Sequence, residues 1–249
     1  MGRHLLLTSR SNPKIKFIEG LRNSKERKAT ELFLVEGERE ISRAKGIVTV
    51  VYHEKSPLIE EIEKKGGELI HVSKGLLEKM TLRGEVLAVG RQEKKGLSSL
   101  KGSFFVALVG IEKAGNIGAI LRTCDGCGVD GVLLVDSLSD HYHPHAIRAS
   151  LGASFSLNIV SCSTKEAFAF IDEKNLELIV TSPEAKDNYC TRSLQGKVVI
   201  AFGQEDKGLN NDWMKGAKVF IPMKGVCDSL NVSVAAGIVL YERLRQDES

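Results

Sequence analysis

Five short runs in the second half of the chain are almost uninterruptedly apolar: Phe104–Val109, 132–135, 176–181, Val198–Phe202 and 219–221. A strand with one wet face alternates polar and apolar residues. A strand buried on both faces does not, and such strands belong to parallel sheets covered by helices. Segments of helical pattern near 116–127, 164–174 and 208–215 lie between the runs, and a long, largely apolar helix near 230–244 closes the chain. Strand and helix in alternation predict an α/β domain on a mostly parallel sheet, over residues 99–249.

The first hundred residues have a different texture. Asn12-Pro13 reads as a helix start, followed by Ile15, Ile18 and Leu21 at helical spacing. Short strands are expected at 33–35, 47–51, 69–72 and 86–89, with helices near 38–45, 60–65 and 76–80. The polar stretch 91–99 reads as a linker or domain-edge loop. This gives a small α/β domain over 1–98. Charge is concentrated there: residues 1–30 carry eight Lys/Arg against two Glu, whereas 101–249 carry 15 basic and 18 acidic residues. A basic segment on a near-neutral chain points to a polyanion, most often nucleic acid.

Composition narrows the classes further. With 42% hydrophobic and 27% charged residues, the chain is of ordinary globular type. No run approaches the ~20 apolar residues of a membrane span, and three consecutive leucines near the N-terminus are too few for a signal-peptide core. Five cysteines without framework spacing favour a reduced, cytoplasmic protein. Gly126-Cys127-Gly128-Val129-Asp130-Gly131 matches G-x-G-x-x-G but precedes a strand, the reverse of the dinucleotide fingerprint, and reads as a helix end and turn. Cys124 and Cys127 stand as one pair without a second, and His141, His143 and His145 read as a polar loop, so no metal is expected.

Three segments carry the chemistry. Gly110 to Arg122 follows the first apolar strand and opens a helix; Asn116 reads as its N-cap, with Gly115 and Gly118 allowing close approach of backbone. Arg122 sits six residues on, among apolar neighbours. In the second, the strand Val198–Phe202 runs into Gly203, an acidic turn with Glu205, and Gly208. In the third, Ile221-Pro222-Met223 ends a strand and a glycine-containing loop leads to Ser229, read as the N-cap of a buried helix that carries Asn231. All three lie where α/β sheets bind ligands, beyond the C-terminal ends of strands.

Together, Asn116-x-Gly118-Ala119-x-x-Arg122, Gly203-x-Glu205-x-x-Gly208-Leu209, and Ile221-Pro222-Met223 with Ser229-Leu230-Asn231-Val232-Ser233 resemble the three motifs of the SpoU (TrmH) family of RNA ribose 2′-O-methyltransferases, of the SPOUT superfamily. The match covers about 102–244. Residues 1–98 resemble, less strongly, the ribosomal-protein-like domain with which several of these enzymes hold RNA. The resemblance implies a deep trefoil knot, a homodimer, and S-adenosylmethionine cradled by Gly203, Ile221, Met223 and Leu230. It places Arg122, Asn116, Glu205, Ser229 and Asn231 at the reaction centre. Arg10, Lys14, Arg22, Lys25, Arg27 and Lys28 are the expected RNA contacts. Many relatives have proline where this chain has Ala114. Large-subunit ribosomal RNA is the expected substrate; transfer RNA, a ribosomal RNA site linked to antibiotic resistance, and a non-catalytic RNA-binding role are the alternatives.

Overall fold

The computed structural model describes residues 6–82, 84–204 and 206–249, which form two compact units. The first comprises the chain up to Glu93 together with Tyr142–Phe155; the second comprises Lys94–His141 and Ser156–Ser249.

In the first unit, α1 (Pro13–Gly20), α2 (Ser24–Thr30), β1 (Leu32–Glu36), α3 (Glu38–Arg43), β2 (Ile47–Tyr52), α4 (Pro57–Lys64), β3 (Glu68–His71), α5 (Lys74–Met80) and β4 (Leu87–Arg91) follow in order. The four-stranded sheet runs β1-β4-β2-β3, with β4 antiparallel to both neighbours and β2 parallel to β3. The Asn12 side chain accepts a hydrogen bond from Lys14 N and Pro13 opens α1, as the sequence predicts. Ile15, Ile18 and Leu21 are buried against Leu34, Val51 and Leu77 on one face of the sheet. The second face buries Phe33, Val35, Ile41 and Ile59.

That second face is completed from far along the chain. Residues 142–155 contribute Tyr142, Ile147 and Phe155 to it. The Phe33 and Tyr142 rings stack with centroids 5.0 Å apart, and α7 (Pro144–Ala149) packs on β1. A Cβ on Gly90 would lie 2.4 Å from the Phe33 ring, so glycine is what lets that ring lie across β4.

The second unit contains β5 (Phe104–Val109), α6 (Ala114–Gly126), β6 (Gly131–Val135), the last residue of α8 (Ala153–Ser156), β7 (Ile159–Cys162), α9 (Thr164–Lys174), β8 (Glu177–Thr181), β9 (Asp187–Asn188), β10 (Val198–Phe202), β11 (Ala217–Phe220) and α10 (Val232–Asp247). Its seven-stranded sheet, β7-β6-β5-β10-β8-β11-β9, is parallel throughout. β5, β6 and β10 are buried along their whole length, as their unbroken apolar runs require. β10 enters between β5 and β8, both of which precede it in the chain. The helix expected near 208–215 is replaced by a single 3₁₀ turn, Trp213–Lys215, whose fully buried indole anchors it. The final helix begins at Val232 rather than near 230.

Candidate active site

A cavity of about 700 Å³ opens at the C-terminal ends of β8, β10 and β11. That is ample for a nucleoside-sized ligand. Gly203, Ile221, Met223 and Leu230, the four expected cofactor contacts, all line it, and so does Ser229.

Gly203 ends β10 under tight constraint. A Cβ there would sit 2.4 Å from the carbonyl carbon of Gly208 and 2.6 Å from Leu209 N, both backbone atoms that have nowhere to move. The loop doubles back at once: Gln204 and Gly208 exchange main-chain hydrogen bonds of 3.2 and 3.0 Å, with Gly208 at φ +61°. Gln204 also reaches sideways. Its Nε2 donates to the carbonyl of Gly110 at 3.0 Å, tying the second motif loop to the first. Glu205 lies outside the described residues.

Segment 221–230 forms the other wall. Among the described residues, none of its main-chain N–H or C=O groups bonds to another main-chain group. The segment is exposed along most of its length, so these groups stand open to solvent and can pair with a ligand rich in heteroatoms. The residues present therefore fit S-adenosylmethionine, whose adenine, ribose and amino-acid groups can use such donors and acceptors.

Asn231, not Ser229, caps α10. Its Oδ1 accepts from Ser233 N at 2.9 Å and from Ser233 Oγ at 2.6 Å. It is also exposed, contrary to the expectation of a buried asparagine; the apolar sequence around it misled, since α10 buries Val232, Ala236, Val239 and Leu240 but leaves Val234 and Tyr241 half exposed. The Asn231 Nδ2 donates to Asn116 Oδ1 at 3.4 Å, bringing the third motif to the first. Asn116 is not an N-cap: α6 begins two residues earlier, after Lys113, and Asn116 sits in its first turn with its side chain turned to Asn231. Open space surrounds Gly115, so close packing is not its role.

Arg122 stands apart. Six residues place it ~9 Å along the helix and ~120° around it from Asn116. Its side chain is exposed, does not line the cavity, and has no hydrogen bond or ion pair among the described residues. The cavity also draws on Thr181, the last residue of β8, and on Ser182 and Glu184 beyond it, which the motif pattern did not single out. Their signal was positional: they lie at the end of a parallel strand.

A model of the SpoU rRNA methylase family matches residues 103–241. The chain belongs to the SpoU rRNA methylase family. A model described as an MRM3-like substrate binding domain matches residues 12–85. A 23S rRNA (adenosine(1067)-2′-O)-methyltransferase of Streptomyces laurentii is 40% identical over 61% of this chain, a match spanning only 58% of that relative. A crystal structure of an RNA 2′-O ribose methyltransferase superposes with a TM-score of 0.85 at 35% identity, covering 98% of this chain and all of that one. The AdoMet-bound rRNA methyltransferase from Sinorhizobium meliloti gives a TM-score of 0.88 at 28% identity, over 98% and 99% of the two chains.

The basic residues of this SpoU-family chain are not equivalent. Arg10 pairs with Glu19, Lys14 with Glu68 and Arg22 with Glu36. Arg27 is removed from any RNA surface: it is 1% exposed, and its Nη1 donates to the carbonyls of Leu21 and Arg22 at 3.0 and 2.8 Å, closing the end of α1. An arginine in a polar helix gives no sign of burial in the sequence. Lys25 and Lys28, on the same helix, are exposed and make no ion pair among the described residues. Burial holds the Cys124 thiol far above the ordinary range and pushes Cys127 up to about 11, so neither is a ready thiolate. No helix among the described residues is long and apolar enough to cross a membrane.

Proposed function

We propose that this chain transfers a methyl group from S-adenosylmethionine to a ribose 2′-hydroxyl of large-subunit ribosomal RNA in the cytoplasm. The observation that carries this reading is the convergence of three motif loops, through Gln204–Gly110 and Asn231–Asn116, beside one cavity of cofactor size. Bound S-adenosylmethionine supplies an electrophilic methyl group. The protein has to hold the 2′-oxygen in line with it and offset the charge that grows on that oxygen. Asn116 and Asn231, joined at 3.4 Å, hold the first and third motifs together, Ser229 offers a hydroxyl on the cavity lining, and Glu205 is the carboxylate that the second motif contributes. Arg122 acts as a fixed cation that orients and stabilises the oxygen, because a guanidinium holds its proton too firmly to serve as a base.

The chain works as a homodimer in this reading. α10 packs against α6, and its outer face carries the exposed apolar pair Val234 and Tyr241, seven residues apart on one side of the helix. Pairing through this face lets the exposed Arg122 serve a cavity that it does not line in its own chain. The deep knot belongs to the same reading, supported by the late insertion of β10 and by Arg243 and Gln246, which bind α10 to Leu194.

The test is transfer of labelled methyl to unmethylated ribosomal and transfer RNA, with the product nucleotides identified. Label on a ribose 2′-oxygen of ribosomal RNA is expected; label on transfer RNA alone corrects the substrate, and no transfer with no cofactor binding removes the enzymatic reading. Mixing Arg122→Ala with Gly203→Ala chains tests the dimer, because activity returns only if one chain's arginine serves the other's cavity.

A further inference from the structure

A second cavity, about 730 Å³, lies in the first unit where β1 and β2 end and β4 begins. It is as large as the cofactor cavity, yet its walls are side chains of a different kind. Tyr52 and His53 line it and belong to a ladder of rings: Tyr52 stacks on His71 at 5.3 Å and 22°, and His71 on His53 at 6.1 Å and 17°. The ladder is locked from behind. His53 Nδ1 donates to the Val72 carbonyl at 3.1 Å, and His71 Nε2 donates to the His53 carbonyl at 3.0 Å.

The charges around these rings are the opposite of what an RNA backbone needs. Glu38, Glu54 and Glu85 line the cavity, are exposed, and make no hydrogen bond or ion pair among the described residues. Gly37, at φ +90°, leaves room where a Cβ would fall 2.9 Å from the carboxylates of both Glu40 and Glu85. Glu40 is committed to Arg39 at 3.0 Å; Lys74 is the other cation. Free carboxylates repel phosphate but accept hydrogen bonds from N–H groups. Aromatic faces take flat rings, and unpaired bases are what proteins read in RNA.

We propose that this cavity takes one unpaired base of the substrate RNA, a guanine, whose adjacent N1–H and N2 amino group match a carboxylate. The base extends the ring ladder at its half-buried His53 end, Glu54 and Glu85 read its edge, and Arg39 and Lys74 meet the flanking phosphates. This rests on the RNA reading above and deepens it: the basic helix holds backbone, and this cavity selects sequence.

The test uses the full chain and three RNA hairpins, identical except for one bulged guanine, one bulged inosine, which lacks the amino group, or no bulge. Anisotropy titrations are expected to give about tenfold tighter binding of the guanine hairpin than of either other. Glu54→Gln with Glu85→Gln removes the guanine–inosine difference and keeps the salt slope; His53→Ala weakens both bulged hairpins. Equal affinity for all three hairpins, or discrimination surviving in the double variant, overturns the proposal. Labelled methyl transfer by the same preparation separates the two readings. Transfer without discrimination sinks the base site alone, whereas discrimination without transfer upholds the site and sinks the catalytic reading.

Discussion

The two cavities have nearly equal volumes, about 700 and 730 Å³, and are built on opposite plans. The one beyond the parallel sheet takes its shape from backbone turns: a glycine strand end, a doubled-back turn, and a segment, 221–230, that makes no main-chain hydrogen bond to other main chain among the described residues. The one beyond the mixed sheet is walled by rings and carboxylates. A main-chain site is set by where the backbone can go and tolerates many side chains, but not a lost glycine. A side-chain site is set by a few ionised groups and should fail one substitution at a time.

The sharpest way to break that contrast lies at Arg122, the proposed catalytic cation. Arg122→Ala is expected to lower methyl transfer by ~10²-fold or more while cofactor affinity by calorimetry stays unchanged. Gly203→Ala should do the reverse of a side-chain deletion, adding one methyl group and losing cofactor binding by more than ~10-fold, because the atoms it meets are backbone. An unaltered affinity would show that the loop yields. In the first unit, Arg27→Ala should cost ~3 kcal/mol in urea unfolding, since it strips a buried helix end of its donors. Lys25→Ala with Lys28→Ala should leave the unfolding midpoint alone and flatten the salt dependence of RNA binding instead. Gln204→Met keeps the bulk against Gly110 but cannot donate; a drop in kcat of ~5-fold with little change in cofactor affinity is expected. The smallest effect serves as a control in the second unit. Hydrogen bonds from Ser163, backbone first and hydroxyl second, hold the Glu166 carboxyl below the usual range. Its contribution is present at neutral pH and disappears as pH falls through that lowered value. The melting-temperature gap between wild type and Glu166→Gln should therefore close in acid.

The parallel sheet was legible because burial on both faces writes itself as unbroken apolar runs, and β5 and β10 fall where those runs predict. Family membership was legible as motifs, since three glycine-bearing strand ends in one order are rare. What stayed hidden had no local signature. α2 is almost wholly polar, so no periodicity marks it, and Arg27 looks like every other cation in it. Residues 142–155 fall inside the span read as the second domain, 99–249, but their apolar side chains complete the first unit. The Asn116 and Asn231 pair joins residues 115 positions apart, and single-segment patterns read Asn116 as a helix cap and found no partner for Asn231.

That borrowed segment has a consequence for the order of synthesis. β4 is complete at Arg91, and the ring that stacks on Phe33 is added about fifty residues later. At ~5–20 residues per second, a nascent first unit waits some seconds with Phe33 and Val35 uncovered while β5 and β6 emerge. Cutting the gene at the linker would leave that wait permanent: the excised first unit would carry an apolar face covered only by α3 and α4, and the remainder would keep a cover with nothing to close.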